Sequence, residues 1–360
     1  MKKTIFLAVA FLIFSSHDMY LKMGTYFLQP NTPSTIKLFN GTFDKSENVI
    51  TRNRMNDVSL VGNGTRSKVD TSQWSEINNI TVLNFTTGEA GTWIAGVSTN
   101  PNNIEISAKE FNEYLEHDGV LDMLDWRKQN NALDQDAVEK YSKHVKTIFQ
   151  VGDKKTDDWQ TVLGYPIEFV PMSNPYDAHA GDNLSVKLLW KGQPLPNQLV
   201  YVGSDAEGHG HSHESGDAHS HEAEHEHSDR HEHDHDEAHA HDHDAGHSHD
   251  HDAETEEAHH HDATQLRTDA NGIVTMSLSN EGQWYLRTIY MEQVEEAGLT
   301  HESNWATLTF EVGHGHSHTD GEHTHEDGTT HSHGGIPAWA YWIGGLLLAG
   351  LLFFVLRRKT

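Results

Sequence analysis

The chain has no cysteine in its 360 residues. That excludes disulfides and thiolate sites, so any metal must be held by His, carboxylate or backbone groups. An exported chain of this kind relies on its apolar cores for stability. Basic residues are scarce: 25 Lys and Arg stand against 54 Asp and Glu, a formal net charge of −29. Such a balance argues against nucleic acid as a partner and for cations. Catalytic patterns are thin. The chain carries no Gly-x-Ser-x-Gly and no phosphate-cradling Gly loop. Carboxylates are so numerous that spacing singles out no acid and base pair.

The strongest local absence is of apolar side chains between Asp205 and Asp262. That stretch has no Val, Ile, Leu, Phe, Tyr, Trp, Met or Pro, but nineteen His and twenty Asp or Glu against the single Arg230. Without large apolar groups it cannot bury a core and offset its ordering entropy, so disorder is expected in isolation. His-x-His repeats run through it: His209, His211 and His213; His231, His233 and His235; His241 and His243; His247, His249 and His251. His259, His260 and His261 follow as a triplet. Neutral imidazole is a common ligand for transition metals, and His-rich tracts point by composition to metal binding. A solvated acidic linker is the plainer reading, but a linker needs no His. The block titrates. Above an imidazole pKa of about 6.5 its twenty acids and one Arg leave about nineteen negative charges, and below it nineteen protonated His nearly cancel them. The expectation is a sponge of many weak sites that loads at neutral pH and releases in acid. A second low-complexity run, 313–335, holds seven more His, including His314, His316 and His318.

Both ends are expected to meet a membrane. Met1-Lys2-Lys3 followed by Ile5 to Phe14 has the charged and apolar regions of a signal peptide, 1–16, ending at Ser15-Ser16 with Phe14 where a small residue is usual. Ile336 to Leu356 is 21 residues without a charge, long enough to span a bilayer. Trp339, Tyr341 and Trp342 sit at its outer edge, and a basic tail, 357–360, follows. These flanks orient the bulk outside, towards periplasm or exterior, with the C-terminus cytoplasmic.

Between the ends the pattern is mainly β. From 17 to 106, Thr35–Phe39 and Ile80–Phe85 read as strands, and Asn40-Gly41 and Asn63-Gly64 as turns. Regular short strands suggest a first β-sandwich. The period changes over 107–148, expected as a helical connector. Ser107-Ala108-Lys109-Glu110 is a capping box, Val120, Leu121 and Leu124 suggest a second helix, and Ala137, Tyr141, His144 and Ile148 share one face of a third. A second β-sandwich is expected over 149–312, interrupted by the His-rich loop 204–264. Its strands are Gly164–Val170, Leu184–Trp190, Leu199–Val202, Ile273–Leu278, Trp284–Tyr290 and Trp305–Val312. The loop's ends should then be close in space, hanging from a strand pair at little entropic cost. The fold expected is two β-sandwich domains of immunoglobulin or transthyretin type, a short helical connector, a disordered His-rich insertion and one C-terminal transmembrane helix. Glu89 to Trp93 and Glu281 to Trp284 look like the same turn before a late strand, a faint sign of duplication.

Five His lie outside the tracts. His17 is first after the expected cleavage, where a free amine and the ring together chelate Cu or Ni tightly; cleavage elsewhere would leave it an ordinary surface residue. His117 closes a helix, where a cation favours the dipole, so capping competes with ligation. His144 shares a stripe with apolar residues, which points to a hydrogen-bonded, partly buried His as much as to a ligand. His179 follows Asn174-Pro175-Tyr176-Asp177 in a loop. His301 precedes a strand. Spacing alone does not show that these converge.

Several segments resemble one family. They are His17-Asp18-Met19-Tyr20-Leu21, Tyr141-Ser142-Lys143-His144 through Phe149-Gln150-Val151-Gly152, Gly164 to Pro171, Asn174-Pro175-Tyr176, Gly192-Gln193-Pro194-Leu195, Thr268 to Gly272 and Trp305 to Phe310. As a set they resemble the bacterial domain of unknown function 4198, often described as nickel-transport accessory periplasmic proteins. The resemblance implies an exported protein of sandwich domains linked to nickel or cobalt handling, with a mature chain starting at His, which strengthens the chelating role for His17. The tracts and the anchor lie outside the matched core. The function expected is capture, buffering and delivery of divalent transition metals (Ni, Co or Zn, with Cu possible by affinity) to a membrane transporter, without catalysis. A metalloenzyme built on His17, and a surface or adhesion protein that merely buffers metal, remain alternatives.

Overall fold

A computed structural model describes residues 18–205 and 263–313. The expected signal peptide, His17, nearly all of the His-rich loop, the His-rich linker and the expected transmembrane helix lie outside the described residues. No helix among the described residues is long and apolar enough to cross a membrane.

Among the described residues the protein is mainly β, with two short α-helices. The first nine strands are β1 (Asp18–Lys22), β2 (Phe27–Leu28), β3 (Pro33–Gly41), β4 (Met55–Gly62), β5 (Thr65–Lys68), β6 (Trp74–Ile77), β7 (Ile80–Thr86), β8 (Gly91–Thr99) and β9 (Asn102–Ile106). Helices α1 (Ala108–His117) and α2 (Leu121–Gln129) follow. The remaining strands are β10 (Ala137–Val151), β11 (Ile167–Pro171), β12 (Asn183–Trp190), β13 (Gln193–Pro194), β14 (Leu199–Ser204), β15 (Thr264–Arg267), β16 (Ile273–Ser277), β17 (Gly282–Gln293) and β18 (His301–Val312).

Most local expectations hold for the reasons that motivated them. Asn63 and Gly64 both have positive φ, 50° and 73°, so they make the tight turn joining β4 to β5. Ser107 caps α1 in a full capping box with Glu110. Asn40-Gly41 is a correction. It ends strand β3 instead of turning, and Gly41 is needed because a Cβ there would collide with the Lys45 carbonyl.

The larger correction is the third helix. Ala137, Tyr141, His144 and Ile148 lie on β10, a 15-residue strand. It pairs in parallel with β18, Glu139 opposite His301 through Thr147 opposite Thr309, and antiparallel with β8 and β9. Val138, Tyr141, Val145, Thr147, Ile148, Phe149 and Val151 make it β-branched and aromatic, which suits a strand. Helical spacing arose by coincidence, because nearly every side chain from Ser142 onward is buried whichever face it takes.

That double burial has a structural cause. β10 sits inside a ten-stranded sheet ordered β15-β14-β17-β18-β10-β8-β4-β5, with β2 and β9 also on β10. A four-stranded sheet, β1-β3-β7-β6, covers one face, where Thr307 Oγ1 donates to the Met19 carbonyl at 2.8 Å. Another four-stranded sheet, β11-β12-β13 with β16 on β12, covers the other, where Lys146 Nζ donates to the Phe169 carbonyl at 2.9 Å. The two expected β segments therefore meet in a single sheet, and the connector is helical only through Gln129. One continuous core runs through the layers, from Met19 and Ile36 through Val145 and Ile148 to Phe169, Leu188 and Phe310. The His-rich loop leaves from Ser204-Asp205 and returns at Thr264, and β14 pairs with β15 there, Val202 opposite Thr264. Its ends are neighbours, as expected of a loop hung from a strand pair.

Candidate functional site

The most unusual side chains cluster where β1 begins. Asp18, its first residue, is 4% exposed and lies against Arg287 of β17, with Arg287 Nε 3.3 Å from Asp18 Oδ2. The Tyr20 hydroxyl donates to the same oxygen at 3.0 Å. Arg287 Nη1 donates to the Asp118 carbonyl at 3.0 Å, and its guanidinium sits 4.4 Å from the Tyr201 ring. Burial works against the Arg287 cation, but Asp18, the Tyr20 and Tyr285 hydroxyls and Asp118 more than restore it, so its pKa is raised.

α1 ends over this cluster. Asp118 caps the helix and is itself buried, with Oδ1 3.2 Å from His117 Nδ1 and Oδ2 without a hydrogen-bond partner among the described residues. The hydrogen bond to Asp118 raises the His117 pKa against partial desolvation, and the Asp18 charge adds to it. Gly119 follows with φ of 74°, and the Tyr201 hydroxyl donates to its carbonyl at 3.0 Å. The helix end is thus locked onto the sheet.

Two more buried charges come from β10. Lys143 Nζ donates to Asn40 Oδ1 at 3.1 Å and lies 4.9 Å from the Trp305 ring. Burial lowers its pKa to about 8, against the opposing pull of Asp18, Asp118 and Glu139. Glu139 accepts from the Tyr114 hydroxyl at 3.2 Å and from Ser303 Oγ in a short hydrogen bond. Burial raises its pKa to about 7, so at neutrality it is poised between acid and carboxylate.

The four isolated His within the described residues are dispersed in environment. His117 is half-exposed at the margin of this cluster. His144 is buried, with Nδ1 2.9 Å from Ser98 Oγ and Nε2 3.1 Å from Ser142 Oγ and 3.2 Å from Asn304 Oδ1. Both ring nitrogens are engaged, and burial lowers its pKa to about 4. It is built as a neutral bridge between strands. His179 is exposed, 3.6 Å from Asp182. His301 is buried against Phe111, its Nδ1 2.7 Å from Thr300 Oγ1 and its Nε2 without a hydrogen-bond partner among the described residues; burial and Arg127 hold its pKa down at about 4. Among the described residues, no three His, Asp or Glu side chains come together as a metal-holding group. His17 and the tract residues His209 to His261, His314, His316 and His318 lie outside them.

Sequence reasoning missed Asp18, Asp118, Glu139, Lys143 and Arg287. The available signal was charge inside otherwise apolar strands: Lys143 and Lys146 in β10, Arg287 in β17.

The family model described as "Domain of unknown function (DUF4198)" matches residues 14–229. The chain belongs to this family. The match begins before Asp18 and takes in α1, Asp118 and Lys143; Arg287 falls beyond it. No curated protein matches the chain. Among solved structures, trypsin-activated alpha-2-macroglobulin from Escherichia coli is similar at 10% identity and a TM-score of 0.19, covering 82% of this chain and 16% of that one. The adhesin InvE of Yersinia pseudotuberculosis is similar at 15% identity and a TM-score of 0.18, covering 82% and 58%. The D0-D1 domain of intimin is similar at 9% identity and a TM-score of 0.16, covering 81% and 97%. The chain spans only 16% of the length of that alpha-2-macroglobulin.

Proposed function

We propose that this DUF4198 member is a membrane-anchored, extracytoplasmic protein that captures and buffers divalent transition metals of the Ni, Co and Zn type and passes them to a transporter in the same membrane. The observation that carries the reading is the block Asp205–Asp262: nineteen His interleaved with twenty acids and no large apolar residue. Its attachment to paired strands β14 and β15 supports the reading, because such a loop can change length and composition without disturbing the sheets. In this reading the chain is two sandwiches sharing one sheet, with a His-rich insertion and the C-terminal apolar helix as anchor. The second His run concentrates ions beside the bilayer.

A site of higher selectivity in this reading uses the N-terminal amine of the mature chain. Cleavage after Ser16 frees the His17 amine, and His17 is covalently the neighbour of a buried carboxylate whose charge reaches His117. The amine and imidazole of His17 supply nitrogen donors of the kind Ni, Cu and Zn accept.

Calorimetry on the purified full chain tests the proposal. At pH 7.5, Zn or Ni titrations give strong heats with many sites and Mg gives almost none; at pH 5, the transition-metal heats collapse as imidazoles near a pKa of about 6.5 protonate. Equal heats for Mg and Ni at neutral pH defeat the reading.

A further inference from the structure

We propose that Lys143 and Asn40 are joined by an intramolecular isopeptide bond linking β10 to β3 across the two packed sheets. The two side chains are 6% and 7% exposed and lie 103 residues apart in sequence, yet Lys143 Nζ is 3.1 Å from Asn40 Oδ1. The buried amine is therefore held beside the carboxamide by a hydrogen bond to its oxygen, and such a held pair turns a slow bimolecular amidation into an intramolecular one.

Both ends are held. The Asn40 backbone N–H donates to Ser46 Oγ at 3.0 Å, and its carbonyl accepts from the Glu47 and Asn48 N–H groups at 3.0 and 3.2 Å. The Lys143 N–H donates to Thr99 Oγ1 at 2.9 Å. The Trp305 ring lies 4.9 Å from the amine and helps keep bulk water, the competing nucleophile, away. Carboxyl groups of Asp18, Asp118 and Glu139 act on the amine, Asp18 most strongly. Asp18 also pairs beside Asn40, because β1 and β3 are hydrogen-bonded with Met19 opposite Asn40.

The step balances without a further reactant. The Nζ lone pair attacks Asn40 Cγ, the Nζ–Cγ bond forms and the Cγ–Nδ2 bond breaks. One proton passes from the amine to the departing nitrogen. The products are a secondary amide and ammonia. For a chain with no cysteine, such a bond supplies the cross-link between layers that a disulfide would otherwise supply.

Peptide mapping of the purified full chain by mass spectrometry tests this. The expected result is a branched peptide joining the segments around Lys143 and Asn40, lighter than their sum by one ammonia, with no tryptic cleavage after Lys143. Recovery of the two segments as separate linear peptides, with a free amine and an intact carboxamide, overturns the proposal. Lys143→Arg and Asn40→Ala each abolish the branched species. Persistence of the ammonia deficit in either variant also overturns it.

Discussion

Glu139 is a buried residue whose protonation couples to folding. Its pKa rises from 4.5 in the exposed state to about 7 in the fold, because burial penalises the carboxylate more than the Ser303 and Tyr114 hydrogen bonds favour it. The native state therefore binds the extra proton. This contribution to stability is complete below pH 4.5 and is lost as pH rises through 7, about 3 kcal/mol at most. His144 works in the opposite sense. Its folded pKa of about 4 lies below the ordinary 6.5, so its contribution is complete above pH 6.5 and is lost as pH falls through 4. The two together place a stability maximum between those limits. Glu139→Gln keeps the shape and removes the titration. Its urea-unfolding free energy is expected to exceed the parent's by about 1–3 kcal/mol at pH 8 and to match it at pH 5. An identical alkaline decline in the variant would show that Glu139 is not its source.

At the scale of elements, the α1 end and β10 show what could be read from the chain and what could not. The capping box at Ser107 is a local device, so it was legible and present. β10 was not, because helical period and β composition disagree there, and only knowledge of two covering sheets explains a strand with Lys143, Lys146 and His144 all buried. His144 as a hydrogen-bonded internal residue was one of two readings, and its three partners come from β8, β10 and β18, which no spacing rule brings together. The likeness between Glu89–Trp93 and Glu281–Trp284 has a local counterpart. Each indole N–H donates to a carbonyl four residues earlier, Trp93 to Glu89 and Trp284 to Asn280, both at 3.1 Å. The Gly119 turn matters most for the candidate site. At φ of 74° a side chain is strained, and a Cβ would overlap the Tyr201 hydroxyl. Gly119→Ala is expected to cost about 2–3 kcal/mol in thermal unfolding, with part recovered in the Gly119→Ala, Tyr201→Phe double variant. Full additivity of the two changes would disconnect Tyr201 from the turn.

For the whole molecule the governing fact is where the charge is kept. The layered β unit pairs buried Lys146 with Glu168 and Arg287 with Asp18, while the bulk of the −29 formal charge and most His sit in low-complexity segments without large apolar residues. The apolar scaffold was legible from composition and pattern; the single shared sheet was not, since it depends on the parallel pairing of β10 with β18 across more than 150 residues of chain. If the tract is an accessory to a self-sufficient scaffold, replacing 206–262 with six Gly and Ser residues should leave the sheets intact. Shortening the loop roughly tenfold lowers the entropic cost of closure by about 2 kcal/mol, so the variant should unfold at an equal or higher temperature. It should also lose most bound Ni or Zn per chain in equilibrium dialysis at pH 7.5 while keeping any site that uses the His17 amine. A variant that unfolds at a lower temperature would mean the tract packs on the scaffold. One that keeps its full metal load would move the capacity elsewhere, to the run around His314 or to the margin of Asp18.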